Sequence, residues 1–370
     1  MVTVRVTLPG DSGSGRDAEG SYDLLVGRGL LADLSTLVSH HAPAHRYVVI
    51  TDDQVERTYG RRAASDLRAP LLGFPAGEGR KTRETWADLT DRLLAHHVGR
   101  DAVIVAVGGG VVGDVAGFVA ATYQRGIPVV QVPTTMLAMI DASIGGKTGV
   151  NTPAGKNLVG AFHQPRLVLA DLATLDSLPA PQLAAGLAEA VKHGVIADAG
   201  YFAFLEREAP AVAEKQDAAL ERVVARSVEI KAGIVSADER EAGVRAALNF
   251  GHTVGHAVEA ASGYSLLHGE AVAAGMVYES RLAERMGIAE AGTAERIATV
   301  LEAYRLPVVR PPAASVDQLL ARMRNDKKAR AGDLRFALPR AIGAMHGGVT
   351  TGWTVAVPEP LVREVLAIKQ

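Results

Sequence analysis

The sequence predicts an α/β N-terminal domain, with a parallel, doubly wound Rossmann-like sheet and an N-terminal hairpin, followed by a mainly α-helical C-terminal domain. In the first half, short β-branched apolar runs such as Ala102–Val107 alternate with segments of helical spacing, as in a parallel sheet covered by helices on both faces. Beyond about residue 178, nearly every segment has helical spacing. A chain of 370 residues is also long for a single core. We therefore expect two domains, at residues 1–178 and 179–370.

The elements follow from hydrophobic periodicity and from turn residues. In the first domain, strands are predicted at residues 2–8, 22–26, 47–51, 71–74, 102–107, 127–132 and 167–170, and helices at 29–40, 54–67, 83–97 and 115–122. The polar tract 9–20 separates the first two strands, which therefore form the hairpin. In the second domain, helices are predicted at 181–198, 199–214, 216–236, 248–262, 268–286, 292–304, 315–324 and 360–368, with a small hairpin at about 334–357.

The bulk composition excludes several classes of protein. The formal net charge of −2 gives no overall electrostatic footprint for nucleic acid. No run of 18 apolar residues is present, so no membrane span is expected. Because the chain has no cysteine, disulfides, thiolate nucleophiles and cysteine metal sites are excluded. We expect a cytoplasmic enzyme with no nucleic-acid or membrane partner.

A glycine-rich turn follows the strand at 102–107. The segment Gly108–Gly113 satisfies the pattern G-x-G-x-x-G between a buried strand and a helix, where backbone N–H groups can hold a phosphate. The alternative is a close contact between helix and strand that leaves no room for side chains. The turn also lies about 100 residues into the chain, so this is not the usual start of a Rossmann dehydrogenase.

Two aspartates follow the strand at 47–51. An acidic side chain at this end of a parallel strand can accept hydrogen bonds from a ribose, but aspartates also cap helices. The residues alone leave both roles open for Asp52 and Asp53.

Two histidines one helical turn apart indicate a metal site. His252 and His256 stand at i and i+4 and therefore share one helix face. Two imidazoles, one carboxylate and an open fourth position commonly make a catalytic zinc site. From spacing alone, Glu189, Glu259 or Glu270 would complete it. The alternative is a pair of surface or capping histidines, since such pairs arise by chance in a chain with 11 histidines.

Basic residues in glycine-bounded and loop segments give a further signal. A single lysine is usually a solvated surface charge. Several beside a predicted nucleotide turn indicate a small, multiply anionic substrate held by point charges and an amide. These residues are Lys147, Lys156 with Asn157, Lys231, Arg245 and the pair Lys327 and Lys328.

Six long motifs together resemble the 3-dehydroquinate synthase family of the sugar-phosphate cyclases. They are GGGVVGDVAGFVAATYQRGIPVVQVPTT, DASIGGKTGVNTPAGKNLVGAFHQP, GLAEAVKHG, LNFGHTVGHAVE, LLHGEAVAAGM and MRNDKKARAGDLRFALPRAIG. The resemblance covers essentially the whole chain. It implies a dehydroquinate synthase-like fold with an NAD-binding N-terminal domain, a helical C-terminal domain and an active site in the cleft.

The resemblance also implies the ligands of a metal. It assigns a divalent ion, most often zinc and in some cases cobalt, to Glu189, His252 and His268. This replaces the pair suggested by spacing, because His256 becomes a neighbour near the substrate phosphate.

Further site residues are carried over from the family motifs one by one. Cofactor contacts are Asp53, Glu78, Lys81, Gly109, Gly110, Val111, Gly113, Asp114, Thr134, Thr135, Lys147, Lys156, Thr174, Leu175 and Ser177. Substrate contacts are Asp141, Lys147, Lys156, Asn157, Lys192, Lys231, Arg245, Asn249, His256 and one or both of Lys327 and Lys328. Arg125 matches an arginine that reaches the active site of the neighbouring subunit, so the resemblance implies a homodimer.

The activity implied is conversion of 3-deoxy-D-arabino-heptulosonate 7-phosphate to 3-dehydroquinate and inorganic phosphate, a step of the shikimate pathway. It proceeds by transient oxidation by NAD, phosphate elimination, re-reduction, ring opening and intramolecular aldol closure. The alternatives are a cyclase making a valiolone, a deoxy-inosose or an amino-dehydroquinate, a metal-dependent polyol dehydrogenase, and a non-catalytic NAD-binding protein.

Overall fold

The computed structural model describes residues 1–8, 20–263, 265–324, 334–348 and 350–368. The chain divides into two compact units. The first comprises Met1–Leu178 together with Lys231–Ser236, and the second comprises Pro179–Ile230 together with Ala237–Gln370.

A seven-stranded sheet organises the first unit. Its strands and those of a separate hairpin are β1 (Val2–Val6), β2 (Tyr22–Gly27), β3 (Arg46–Asp52), β4 (Leu71–Phe74), β5 (Ala102–Gly108), β6 (Val129–Pro133), β7 (Lys147–Thr152), β8 (Gly155–Phe162) and β9 (Leu167–Asp171). The strand order in the sheet is β1-β2-β9-β6-β5-β3-β4. β1 pairs with β2 antiparallel, and every other pairing in this sheet is parallel. The predicted parallel sheet with an N-terminal hairpin is therefore confirmed.

Helices cover both faces of this sheet. They are α1 (Leu34–His41), α2 (Arg61–Asp66), α3 (Arg83–Ala95) and α4 (Gly110–Thr122). Alternate residues of β5 enter different cores: Ile104 packs in one cluster with Val119 of α4, and Val105 packs in the other with Val38 of α1. Burial on both faces explains why β5 is apolar throughout rather than alternating.

A second hairpin lies where no element was predicted from the sequence, in the segment that contains Lys147, Lys156 and Asn157. β7 and β8 pair antiparallel, with Lys147 opposite Phe162 and Val150 opposite Val159. The strands approach closely, since a Cβ on Gly160 would lie 2.0 Å from the carbonyl oxygen of Thr148. Glycines and polar residues hide the period-two pattern here, because neither face of the hairpin is uniformly apolar.

Helices dominate the second unit. They are α5 (Ala180–Ala197), α6 (Ala199–Arg207), α7 (Ala209–Ala213), α8 (Asp217–Ala237), α9 (His252–Ala261), α10 (His268–Arg285), α11 (Thr293–Ala303), α12 (Val316–Arg324) and α13 (Glu359–Leu366). Residues 231–236 of α8 belong to the first unit. No helix in the described ranges is both long and apolar enough to cross a membrane.

Two predictions for this unit are wrong in detail. The single helix predicted at 199–214 is two helices, because Pro210 lies in the first turn of α7, where a proline is tolerated only at a helix start. The single hairpin predicted at 334–357 is two pairs of short strands. β10 (Arg335–Phe336) pairs with β13 (Val355–Ala356), and β11 (Pro339–Ala341) pairs with β12 (Ala344–Met345).

The helices α9 and α10 pack backbone against backbone. A Cβ on Gly275 would lie 2.0 Å from the carbonyl oxygen of Gly251 and 2.8 Å from the amide nitrogen of Gly255. The buried carboxylate of Glu279 accepts hydrogen bonds from the amides of Gly251 (2.7 Å) and Val254 (3.0 Å) at the start of α9. These contacts fix the spacing of the two helices.

This packing makes a matched pair of glycine substitutions informative. Gly275→Ala should lower the free energy of unfolding by about 3 kcal/mol, because the added methyl overlaps backbone atoms that cannot move independently. Gly233→Ala, in α8 with no atom within 4 Å of the added Cβ, should raise it by about 0.5–1 kcal/mol through helix propensity. Urea unfolding of both variants checks this. Equal stability of the two would contradict the close packing.

Candidate functional site

Three helices of the second unit bring one carboxylate and two imidazoles together. Glu189 lies in the middle of α5 and is fully buried. His252 is the first residue of α9, and His268 is the first residue of α10. Oε1 of Glu189 lies 3.7 Å from Nε2 of His252 and 3.6 Å from Nε2 of His268. The side chains named by the family motifs as metal ligands therefore converge.

The geometry of this group fits a divalent metal. The distances of 3.6–3.7 Å between the Glu189 oxygen and the two imidazole nitrogens are too long for hydrogen bonds. Two metal–ligand bonds of about 2.1 Å at a tetrahedral angle separate their donor atoms by about 3.4 Å. One carboxylate and two imidazoles are also the donor set of many catalytic zinc sites. The donor set and the spacing thus both fit a zinc-like ion.

The charges around Glu189 favour its ionised carboxylate, which is the form that binds a cation. Burial alone would raise the pKa of its carboxyl, but the Lys192 ammonium and the two imidazoles outweigh burial and hold that pKa well below its usual range. Burial and the nearby Lys192 ammonium lower the pKa of His252 well below its usual range. His252 is therefore a neutral ring with a lone pair to donate.

His268 is a different case, because it faces two carboxylates. Although burial lowers the pKa of His268, the facing carboxylates of Glu189 and Glu259 raise it to about 9. Nδ1 of His268 lies 3.5 Å from Oε2 of Glu259, on the side of the ring away from Glu189. A carboxylate on the second ring nitrogen is the usual partner of a metal-binding histidine.

His256 lies beside this group. Its ring centroid is 5.2 Å from that of His252 and 5.9 Å from that of His268. His256, Glu259 and His268 form a second group whose donor atoms lie within 4.8 Å of one another. Glu270, the remaining candidate from spacing, instead accepts a hydrogen bond from the backbone N–H of Leu267 at 2.8 Å and caps α10.

The glycine turn of the first unit leads into a helix without a side-chain cap. α4 starts at Gly110, and its N-cap residue Gly109 makes no side-chain hydrogen bond. The N–H groups of a first helical turn lack partners within the helix and favour an anion. Nearby, Thr134 donates its backbone N–H to the carbonyl of Gly108 at 2.9 Å. Its buried hydroxyl has no hydrogen-bond partner among the described residues. An uncapped helix start and an unused hydroxyl fit a dinucleotide.

The packing interpretation of the same glycines is also correct. A Cβ on Gly113 would lie 2.8 Å from Oε1 of Gln131, and one on Gly108 would lie 2.5 Å from Cγ2 of Val112. These two glycines are therefore needed for the contact between helix and sheet.

Two further predicted cofactor residues lie close to this turn in the chain. Val111 is in the first turn of α4, and Thr135 accepts a hydrogen bond from the N–H of Ala138 at 3.2 Å.

The two aspartates after β3 have different roles. Oδ1 of Asp52 accepts hydrogen bonds from the amides of Gln54 and Val55, both at 3.1 Å, so Asp52 is the capping residue. Asp53 accepts one from Ala76 at 2.9 Å and lines a surface cavity of about 400 Å³. The ribose contact expected for Asp53 stays a prediction.

The segment 172–177 lies near the π-helical turn at Glu56–Gly60. The hydroxyl of Tyr59 lies 2.8 Å from Oγ of Ser177 and donates to the carbonyl of Thr174 at 3.3 Å. Leu175 is fully buried. Of the three predicted cofactor residues here, only the two polar ones offer hydrogen-bonding groups.

The turn at Glu78–Arg80 and the hairpin β7–β8 are joined by hydrogen bonds. Lys81 is 4% exposed, forms an ion pair with Asp114 and donates to Oδ1 of Asn157 at 2.5 Å. Burial raises the pKa of Asp114, and the Lys81 ammonium opposes that rise. Nζ of Lys156 lies 3.6 Å from Oε1 of Glu78. Predicted cofactor and substrate residues thus contact one another directly.

Other predicted substrate residues are distributed over the two units. In the first, Nζ of Lys231 lies 2.6 Å from Oδ1 of Asp141, and Lys147 is exposed at the start of β7. Arg125 has the left-handed backbone angle φ 70°. In the second, Lys192 pairs with Glu189, and the nearly fully buried Arg245 donates to the carbonyl of Glu239. Asn249 donates to Glu241 at 2.9 Å. Lys327 and Lys328 lie outside the described residues.

The sequence interpretation missed Asn151, which bonds to both the turn and the hairpin. It named Glu259 only as a possible metal ligand, whereas the structure places this carboxylate beside the second ring nitrogen of His268. Asn151 lies between the two glycine–lysine segments already singled out, which is the signal that could have identified it.

Solved structures with the same fold define the class of protein. A 2-deoxy-scyllo-inosose synthase, solved with carbaglucose-6-phosphate, NAD⁺ and Co²⁺, matches 99% of this chain and 99% of its own, with a TM-score of 0.88 and 29% identity. A 2-epi-5-epi-valiolone synthase from Streptomyces hygroscopicus, with NAD⁺ and Zn²⁺ bound, matches 93% of this chain and 95% of its own, with a TM-score of 0.83 and 33% identity.

The family follows from the sequence comparison. The family model described as 3-dehydroquinate synthase N-terminal matches residues 71–185, and the model described as 3-dehydroquinate synthase C-terminal matches residues 186–329. A 3-dehydroquinate synthase from Symbiobacterium thermophilum is 49% identical over 87% of this chain and 92% of its own length. The chain belongs to the 3-dehydroquinate synthase family.

The two metal groups can be separated by histidine substitution. Because His252 and His268 both face Glu189, His268→Ala should weaken zinc binding by more than about 100-fold, and His256→Ala by less than about tenfold. Zinc affinity measured against a competing chelator checks this, with His346→Ala as a control for a histidine elsewhere in the unit. Equal losses for His256→Ala and His268→Ala would instead indicate the group of His256, Glu259 and His268.

Proposed function

We propose that this chain converts 3-deoxy-D-arabino-heptulosonate 7-phosphate to 3-dehydroquinate and inorganic phosphate. The observation that carries the proposal is the convergence of Glu189, His252 and His268 in a chain whose two parts match the two family models. The reaction is a lyase reaction without net redox change, because the carbon oxidised before phosphate leaves is reduced afterwards.

The cofactors are NAD and a divalent metal ion, and the substrate is a sugar phosphate. When bound, NAD supplies a reversible hydride acceptor, and the metal polarises hydroxyl oxygens of the substrate and eases their deprotonation. Glu189, His252 and His268 would hold the metal. The first turn of α4 and the hydroxyl of Thr134 would hold NAD.

The charged residues would hold and orient the substrate. We assign Lys147, Asn157 and His256 to its phosphate end, with Lys327 or Lys328. Lys231 and Arg245 are assigned to the carboxylate, and Lys192 to the hydroxyls. Ion pairs with Asp141 and Glu189 orient Lys231 and Lys192, both of which are buried.

Relatives that make other products are the main alternative. The two solved cyclases that make an inosose or a valiolone are 29% and 33% identical to this chain, whereas the 3-dehydroquinate synthase relative is 49% identical. A buried arginine also suits a substrate with a carboxylate, which a simple sugar phosphate lacks. A polyol dehydrogenase differs in its outcome, since it accumulates reduced cofactor.

The assay follows from this difference. Purified, zinc-loaded protein with NAD and the heptulosonate phosphate should release inorganic phosphate stoichiometrically with product, without a rise in NADH absorbance. A non-catalytic NAD-binding protein would release no phosphate. Steady accumulation of NADH would instead identify a dehydrogenase. Glucose 6-phosphate as a second substrate is the control for an inosose-type cyclase.

The proposal includes a homodimer in which Arg125 serves the partner's active site. Gln124 and Arg125 both have positive φ angles, 53° and 70°, and precede Gly126 at 112°. Such a turn is costly for residues other than glycine, and strained segments of this kind tend to be retained at functional positions. The cytoplasmic location and the roles of residues 1–178 and 179–370 belong to the same proposal.

Subunit complementation tests the role of Arg125. Arg125→Ala and Glu189→Gln should each inactivate the homodimer. Hybrid dimers of the two variants should regain up to about half of wild-type activity per dimer, because one site combines intact metal ligands with the partner's arginine. Hybrids purified through two affinity tags are compared with each parent. Hybrids as inactive as the parents would place Arg125 in its own subunit's site or outside any site.

A further inference from the structure

The side chain of Asn151 bonds to both the turn 78–81 and Asn157. The family motifs assign Glu78 and Lys81 of that turn to the cofactor, and the proposed function assigns Asn157 to the substrate phosphate. Nδ2 of Asn151 donates to Oε1 of Glu78 at 2.8 Å, and its Oδ1 accepts from the backbone N–H of Asn157 at 3.0 Å. Both bonds have good geometry.

The backbone of Asn151 adds a third connection. Its N–H donates to the carbonyl of Lys81 at 2.7 Å, and it forms a parallel bridge with Thr82. Lys81 in turn donates to Oδ1 of Asn157 at 2.5 Å. The three residues therefore form a closed set of hydrogen bonds, in which Asn151 holds the backbone of Asn157 and Lys81 holds its side chain.

Asn157 needs this support because of its backbone conformation. Its φ angle is 53°, in the left-handed region, which, among residues other than glycine, asparagine adopts mainly with the help of local hydrogen bonds. Without the acceptor on Asn151, the N–H of Asn157 would lose its partner, and the chain could relax toward an ordinary conformation. The side-chain amide of Asn157, which the proposed function assigns to phosphate binding, would then change its orientation.

Only an amide can make both side-chain bonds. Asparagine carries a donor and an acceptor on the same carbon, whereas aspartate would place a carboxylate opposite Glu78. The same group therefore sets the position of a cofactor residue and of an anion-binding residue.

We propose that Asn151 is a positioning residue that orders Glu78 and Asn157 together, so that the NAD contact and the phosphate contact form as one arrangement. This inference rests on the proposed function for the identity of the two ligands. Asn151 itself contacts neither ligand in this assignment and acts through its two partners.

Double-mutant cycles test the proposal on the zinc-loaded protein. Dissociation constants for NAD and for inorganic phosphate are measured by calorimetry for wild type and for Asn151→Ala, Glu78→Ala and Asn157→Ala. They are also measured for both double variants that contain Asn151→Ala. Loss of the hydrogen bonds should make Asn151→Ala bind each ligand about tenfold more weakly. If Asn151 acts through its partners, each double variant should bind no more weakly than Glu78→Ala for NAD or Asn157→Ala for phosphate.

Controls separate this role from general destabilisation. Thr152→Ala removes a hydroxyl that donates only within the hairpin, to the carbonyl of Gly155 at 3.3 Å, and should leave both constants within about twofold of wild type. If Asn151→Ala does not fold, Asn151→Ser, which is too short to bridge both partners, takes its place. Additive losses in the cycles, or an unchanged constant for either ligand, would overturn the proposal. A wild-type protein that binds neither NAD nor phosphate would instead refute the proposed function itself.

Discussion

The buried carboxylate of Glu189 is the constraint on which the second unit depends. An isolated buried charge is strongly unfavourable, so the fold must surround it with compensating groups. Lys192, one turn along α5, and the imidazoles at the starts of α9 and α10 provide them. A metal in the same position would complete the compensation and bind three elements that are remote in sequence.

This requirement explains the density of glycine around the site. To bring two helix starts against α5, backbones must approach more closely than side chains allow. A Cβ on Gly269 would lie 1.8 Å from the carbonyl of Ala185, and Gly275 meets Gly251 in the same manner. The glycines that flank the histidines in these motifs are therefore as necessary as the histidines, since they set the distances between the donor atoms.

In the first unit, the corresponding constraint is the first turn of α4, whose backbone N–H groups lack partners within the helix. This turn begins where the parallel strand β5 ends. The sheet holds the ends of its parallel strands rigidly, and most of the other candidate site residues of this unit come from loops and from the hairpin β7–β8. Lys81 is buried between Asp114 and Asn157. The Asp114 carboxylate balances its charge, and the two contacts fix its position. The cofactor residues and the anion-binding residues of this unit are thus part of one hydrogen-bonded structure.

Local sequence patterns were sufficient to predict the sheet, most of the helices and the family. Apolar runs such as β5 and the periodicity of the helices reflect burial that acts within one element, so they can be seen in the sequence. The six motifs named His268 as a ligand and His256 as its neighbour, a choice that spacing alone had made differently. Only the tertiary structure could reveal the β7–β8 hairpin, the two bonds of Asn151 and the carboxylate of Glu259 behind His268. These depend on contacts between different elements, which no local pattern records, because a side chain's partner is decided by how whole elements pack.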